Sequence, residues 1–304
     1  MHEQIAANKR KTVVLIVLAI VFTGLIGWLI GYLFFYGGTT GLIIAVGLAL
    51  ALSLGSYFFG DKVVLRSTGA KPVTPEQEPR LHNVVEGLAI AAGVPKPDVY
   101  VVPEMAPNAF ATGRDPQHSS IAVTQGLLNI MDRVELEGVI GHEMSHVLDR
   151  DILIGTIVAT VVGAAILLSE IFTRTWFWGG GGRRSNNSGG GDAGILSLIL
   201  FAVGIFLLIL APLAGQLIKL SVSRNREYLA DAQGVLLTRY PPGLISALQK
   251  IADAPHAMRA ANNATAHLWL DQPSRVPGND TSTMERLFST HPPIQERIRR
   301  LQEM

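Results

Sequence analysis

The chain contains no cysteine. That removes disulfides, thiolate nucleophiles and cysteine-based zinc cages, so any bound metal must be held by histidine and carboxylate side chains. Charge is scarce too. Only 16% of residues are Asp, Glu, Lys or Arg, and none falls within 12–60, 152–169 or 193–218. With 48% hydrophobic residues and a mean hydropathy of +0.33, the composition excludes an ordinary soluble enzyme and a disordered chain alike. Nor is there a surplus of one sign. A formal net charge of +1 and a pI near 8.1 lack the basic excess with which nucleic-acid binders neutralise phosphates, so nucleic acid is not an expected partner.

The uncharged stretches are long. Thr12–Tyr36, Gly41–Gly60, Ile152–Ser169 and Ala193–Ile218 each approach or exceed the roughly 20 apolar residues a helix needs to cross a bilayer core, which predicts four transmembrane helices. Lys9, Arg10 and Lys11 ahead of the first stretch would suit a cleaved signal peptide, but its length and the second span directly after it favour a retained anchor. Those residues precede the first hairpin and Lys62, Arg66 and Lys71 follow it, with no basic residue in 37–40. Both ends of the hairpin, and the soluble part with them, are therefore expected in the cytoplasm. Arg174, Arg183 and Arg184, between the third and fourth spans, run against the same rule. Ring clusters at 32–36, 57–59 and 176–178 read as belts at headgroup depth. Gly24, Gly27, Gly31, Gly41 and Gly47 would let helices approach closely.

The predicted organisation is a transmembrane hairpin over 1–60, a first soluble part over 61–151, a second pair of spans over 152–218 with a Gly-rich loop at 179–191, and a second soluble part over 219–304. Each soluble part is small, so the two are expected to share one core. In the first, Thr74, Pro75 and Glu76 predict a helix start, with Gly93 ending the helix after Ala92. Pro97–Val102, Asn108–Thr112 and Ser119–Thr124 predict strands, the last two joined by a turn at 113–116. A longer helix is predicted from about Asn129 through His146.

That helix carries His142-Glu143-Met144-Ser145-His146. Residues four apart share a helical face, so both imidazoles can reach one ion, with Glu143 directed at a water beside it. The plainer alternative is a pair of solvated histidines. A catalytic zinc site uses three protein ligands and an open fourth position, and two His with one Glu is a known set. Glu227, in a second helix beginning near Arg224, is the candidate third ligand. Asp231, one turn on, is placed to accept the ring N–H of a ligand histidine. Ordinary local ion pairing of Glu227 and Asp231 with Arg224 or Arg226 is the alternative. His146 to Ile152 is about 9 Å along a continuous helix, and Ile218 to Glu227 about 14 Å, so both halves of the site would hang from the ends of the third and fourth spans.

The chain resembles the HtpX-family membrane zinc metallopeptidases, relatives of the CAAX prenyl endopeptidases. The features that carry the resemblance span the chain in order: the N-terminal hairpin, Asn108-Ala109-Phe110-Ala111-Thr112-Gly113, the His142–His146 motif, two further spans, Ser223-Arg224 with Glu227 and Ala230-Asp231, and Thr290-His291-Pro292-Pro293 followed by Glu296, Arg297 and Ile298. The resemblance implies an α-helical integral membrane protein bearing a mostly α, α+β gluzincin-type protease domain. It would face the cytoplasm of a bacterial-type inner membrane and act in quality control on membrane proteins and unfolded polypeptides. It also implies substrate pairing with an edge strand near Asn108, Ala109 and Phe110, or near Ser119–Val123, where main-chain hydrogen bonds would demand little of the substrate's sequence.

The expected chemistry is peptide hydrolysis with one zinc ion per chain, held by His142, His146 and Glu227, with Glu143 as general base and then acid. His291 or Arg224 are candidate donors to the developing oxyanion, His291 being equally readable as a turn residue before a helix. Three other readings compete. A scaffold stapled by metal would leave Glu143 superfluous, a transporter would carry charges inside its spans, and a prenyl-peptide endopeptidase would demand a lipidated substrate.

Overall fold

The computed structural model describes residues 38–164, 224–254, 258, 264–271 and 292–304, with isolated positions between Arg10 and Tyr32. Its first long element, α1 (Gly38–Ser67), covers the second predicted span and continues past Gly60. Among the described residues it is the one helix long and apolar enough to cross a membrane, over Leu42–Ser67. The third predicted span is represented by the apolar helix Asp151–Ala164, here α5. The first span, apart from its isolated positions, and the fourth span with the loop at 179–191 lie outside the described residues. Gly24 meets α1, since a Cβ added there would lie 3.0 Å from Val46 and 3.3 Å from Leu42, whereas one on Gly47 would touch nothing.

α1 changes character along its length. Leu48, Leu52 and Leu54 are exposed, while Val64 and Leu65 are buried with Val102, Phe110, Ala122, Ala159 and Trp269. Its end is therefore packed into the same core as the sheet. α1 and α5 approach closely at Gly60, where a Cβ would lie 2.8 Å from Thr156.

The four-stranded sheet has the order β1-β2-β4-β3, comprising β1 (Lys71–Pro72), β2 (Asp98–Val102), β3 (Ala109–Asp115) and β4 (His118–Thr124). β2 and β4 run parallel; the other two pairs are antiparallel. The short edge strand β1 has no counterpart in the sequence reading, because two residues carry no periodicity. β4 is an interior strand, which removes Ser119–Val123 as a place where a substrate could pair.

Two predicted helices begin or break differently. α2 spans Pro79–Ala92 and not the residues from Thr74 onward. Thr74 instead accepts from the N–H groups of Gln77 and Glu78 in a turn. Glu78 precedes a proline and is held out of the helical region (φ −131°, ψ 65°), so the helix restarts with Pro79 in its first turn. Gly93 ends α2 in the left-handed conformation, donating to Ala89 and Ile90. The helix predicted from about Asn129 through His146 begins later and runs on to Asp149 as α4 (Arg133–Asp149), and a separate short helix, α3 (Gln125–Ile130), precedes it. Asp132 interrupts them with a reciprocal cap: its side chain accepts from the Glu135 N–H at 2.9 Å and the Glu135 carboxylate accepts from the Asp132 N–H at 2.8 Å.

α4 is the central element, packed between α2, the sheet, and two later helices, α6 (Arg224–Thr238) and α7 (Pro241–Asp253). Leu136, Val139, Ile140, Met144 and Val147 of α4 join Leu81 and Val85 of α2, Ile121 of β4, and Leu244 and Leu248 of α7 in one core. Residues from either side of the segment 165–223 thus build that core together. The C-terminal helix α8 (Ile294–Gln302) closes it with Ile294 and Leu301.

Candidate metal centre

Charged side chains are seldom buried without partners, yet α4 buries His142 and Glu143 in its apolar middle, and α6 buries Glu227 and Asp231. Two glycines allow these helices to meet. A Cβ on Gly234 would lie 2.8 Å from the His142 nitrogen, and one on Gly141 would lie 3.1 Å from the Gly234 carbonyl oxygen. Backbone contact at this crossing carries the first turn of α6 up to the imidazoles.

His142 Nε2 and His146 Nε2 stand 3.2 Å apart. Glu227 Oε2 is 3.7 Å from the first and Glu227 Oε1 3.7 Å from the second. Tetrahedral zinc, with bonds of roughly 2.0–2.2 Å to nitrogen and oxygen, holds neighbouring donors about 3.3–3.5 Å apart. Each ring faces a different oxygen of Glu227, and one donor atom from each of the three residues lies within 4.8 Å of the others; two imidazole nitrogens and a carboxylate are a donor set that suits zinc.

Each ring is held from behind. His142 Nδ1 donates to Asp231 Oδ1 at 2.8 Å. Arg297 of α8 closes on the same carboxylate, Nη2 donating to Oδ1 at 2.6 Å and Nε to Oδ2 at 2.9 Å. Arg297 Nη1 donates to the Leu270 carbonyl at 3.2 Å. On the other side, His146 Nδ1 donates to Asp151 Oδ2 at 3.2 Å, and Asp151 Oδ1 accepts from Arg226 Nη1 at 3.0 Å. Both Nε2 atoms therefore face the space between α4 and α6.

Electrostatics distinguish the two rings. Burial, reinforced by the Arg297 guanidinium, lowers the His142 pKa to about 4 despite Asp231, leaving a neutral imidazole. Burial opposes charge on His146 too, but the Asp151 hydrogen bond and the Glu227 and Glu143 carboxylates outweigh it and raise its pKa to about 9. In the metal-free protein His146 carries a proton that a divalent cation must displace. The Asp231 carboxyl resists its own burial because Arg297 and His142 hold it down to about 2.

A cleft opens over this cluster, lined by His142, Glu143, His146 and Glu227, by Asp151, Ile152 and Gly155 at the start of α5, and by Ala111 of β3 and His267–Leu270. Glu143 thus faces the same space as the three donors. Arg224, exposed at the first position of α6, is not among the cleft residues. His291 lies outside the described residues.

The candidate substrate strand is partly covered. Asn108 donates from Nδ2 to the Asp271 carbonyl at 2.8 Å and accepts from the Asp271 N–H at 3.1 Å. The Ala109 carbonyl accepts from Leu270 N–H at 2.9 Å, and Phe110 is buried edge-on against Trp269 with ring centroids 4.6 Å apart. Further along, Gly113 N–H donates to Thr156 of α5 at 3.1 Å. Thr124 N–H donates to the Asn108 carbonyl, so alternation turns the amide groups of 109, 111 and 113 away from β4. Ala111, between these two contacts, lines the cleft.

Arg297 and Asp151 were not singled out for roles by the sequence reading. For Arg297 a signal exists: Ile294, Arg297 and Leu301 form the buried stripe of α8, and an arginine at a core position of an amphipathic helix calls for a buried partner. Asp151 offers only its place as the last charge before an uncharged run.

Two histidines one turn apart, a glutamate between them and a carboxylate brought in by a second helix define the metallopeptidase class. Residues 75–304 match peptidase family M48. The chain is 47% identical over its whole length to a protease HtpX homolog of Caldanaerobacter subterraneus subsp. tengcongensis, covering 98% of that protein. Its identity to the protease HtpX homologs of Lactobacillus acidophilus and Streptococcus pneumoniae is 43%, with full coverage of both proteins. The crystal structure of S. mikatae Ste24p overlaps 99% of this chain and 67% of its own, at 20% identity and a TM-score of 0.47. The chain belongs to peptidase family M48, and it is a membrane-associated metalloprotease.

Proposed function

We propose that the protein is a zinc-dependent endopeptidase that hydrolyses peptide bonds in misfolded or damaged membrane proteins. His142, His146 and Glu227 hold the metal, and Glu143 is the general base. The observation that carries this reading is the convergence of two Nε2 atoms and one carboxylate at 3.2–3.7 Å. When bound, zinc supplies Lewis acidity, acidifying water and polarising the scissile carbonyl. Glu143 takes the proton of the attacking water as its oxygen bonds to the carbonyl carbon. It then delivers that proton to the amide nitrogen as the C–N bond breaks, leaving one acid and one amine. Asp231 and Arg297 fix the ring of His142 during this exchange.

Several spans hold the protein in the membrane, with the N-terminus and the protease domain on the cytoplasmic side. This topology draws support from α1, whose C-terminal end, bearing Lys62 and Arg66, is the end that packs on the protease domain. A substrate from the bilayer suits a cleft walled on one side by the apolar helix α5.

Glu143→Gln is the deciding variant. It is expected to retain about one zinc per chain by metal analysis while losing at least ~10²-fold in cleavage of an unfolded, unlipidated membrane protein. A variant that cuts as the wild type does would overturn the assignment of Glu143 and leave the metal-stapled scaffold. Cleavage confined to prenylated peptides would point to the prenyl-peptide reading instead.

A further inference from the structure

The geometry points to Asp151 and Arg226 as a positioning pair for the metal centre, coupling the apolar helix α5 to the orientation of His146. This rests on the proposed metal reading and extends it to residues without a role there.

Asp151 is the first residue of α5, and the turn before it is tight. α4 ends at Asp149, and Arg150 is in the left-handed conformation (φ 58°), donating back to His146 and Val147. A continuous helix would have carried Asp151 onward from the histidine. The reversal at Arg150 returns it, so that Asp151 Oδ2 accepts a hydrogen bond from His146 Nδ1 at 3.2 Å. Fixing the proton on Nδ1 leaves Nε2 directed at Glu227 and His142, which is how carboxylates behind ligand histidines set tautomer and ring angle.

Arg226 supplies the second half. It is the chain neighbour of Glu227, yet its Nη1 lies 3.0 Å from Asp151 Oδ1, with both side chains largely withdrawn from solvent. One carboxylate thus accepts one hydrogen bond from α4 and another from the first turn of α6 while itself belonging to α5. Three elements are locked at one point, two of them bearing the metal donors. Sliding or tilting α5 by about one hydrogen-bond length would take Asp151 from both partners and free the ring of His146 to turn.

The test uses the full-length protein in detergent, in a Glu143→Gln background that prevents self-cleavage. Zinc affinity is measured by chelator competition, and coordination by the visible spectrum of the cobalt-substituted protein. Asp151→Asn keeps an acceptor but removes the charge. It is expected to weaken zinc binding about 10–100-fold and to alter the cobalt spectrum. Arg226→Met is expected to weaken binding less, Arg226→Lys to restore most of it, and Arg226→Met to add nothing in an Asp151→Asn background, because the arginine acts through the aspartate. Circular dichroism on the same samples identifies a variant that has merely unfolded; if that is Asp151→Asn, Arg226→Met against Arg226→Lys carries the comparison, and equal zinc affinity in the two overturns the assignment. Unchanged zinc affinity and cobalt spectrum in a folded Asp151→Asn protein overturn the assignment, as do additive effects in the double variant. If the Glu143→Gln parent takes up no zinc or cobalt, the metal reading itself fails and takes this one with it.

Discussion

His142 and His146 sit one helical turn apart and live in different surroundings. The carboxylate behind His142 is sealed in the protein interior, gripped through two contacts by an arginine with no solvent exposure. The carboxylate behind His146 stands at the foot of an apolar helix, with one arginine contact and partial exposure on all three side chains. One half of the centre is thus fastened to the folded core by the C-terminal helix. The other half is fastened to a helix proposed to enter the bilayer, and disturbances of the two should register differently.

The largest effect is expected on the core side. Arg297→Ala leaves Asp231 buried without its countercharge and should cost about 3–5 kcal/mol, measured by chemical denaturation of the metal-free protein. A loss below about 1 kcal/mol would mean that the core side is no better anchored than the membrane side. Gly234→Ala should cost about 1–3 kcal/mol by forcing α6 off α4. It should also lower metal content, since the shift separates Glu227 from the rings; full metal loading would show that the glycine contact does not set the site.

Glu135, at the far end of α4, serves as a reference outside the centre. It accepts from Ser246 and Lys250, each at 2.6 Å, and its carboxyl is held below the usual glutamate range: burial would raise it, but those hydrogen bonds outweigh that. Its contribution is present above the ordinary glutamate pKa and is lost as pH falls through its lowered value. Glu135→Gln should therefore cost about 1–3 kcal/mol near neutral pH, with the gap from wild type closing in acid and zinc affinity unchanged. Smallest of all is Arg299→Ala, on the same helix as Arg297 but exposed among Glu296 and Glu303. It should move neither the denaturation midpoint nor metal content.

The parts of this molecule that were legible beforehand are those written in local periodicity or spacing. The pair His142 and His146 is a four-residue interval, the second span is an unbroken uncharged run, and Gly93 marks a helix end. What escaped depends on how distant pieces pack. The start of α2 was misplaced because Thr74-Pro75 and Glu78-Pro79 both look like helix openings, and the backbone before the second proline decides between them. The break at Asp132 was hidden because the return of the Glu135 carboxylate to the Asp132 N–H, which makes it a cap, is not visible in spacing alone. Asp151 was invisible as a partner of His146 until the left-handed turn at Arg150 brought it back. Arg224, read as a possible donor to the reacting carbonyl, points to solvent, while its neighbour Arg226 turns inward; the rotation of α6 decides that, and composition does not.

The covered rim of β3 has a consequence for what can be digested. With Leu270 bonded at Ala109 and Thr156 at Gly113, a polypeptide pairing with this strand, as the proposed reading has it, would meet a rim already taken at two positions. A compact domain, its amides already satisfied, would gain nothing there, whereas a slack single thread could lay its main chain beside Ala111, which lines the cleft with the three metal-facing donors. On the proposed reading such a narrow berth would filter by foldedness, sparing intact neighbours that have no loose strand to offer.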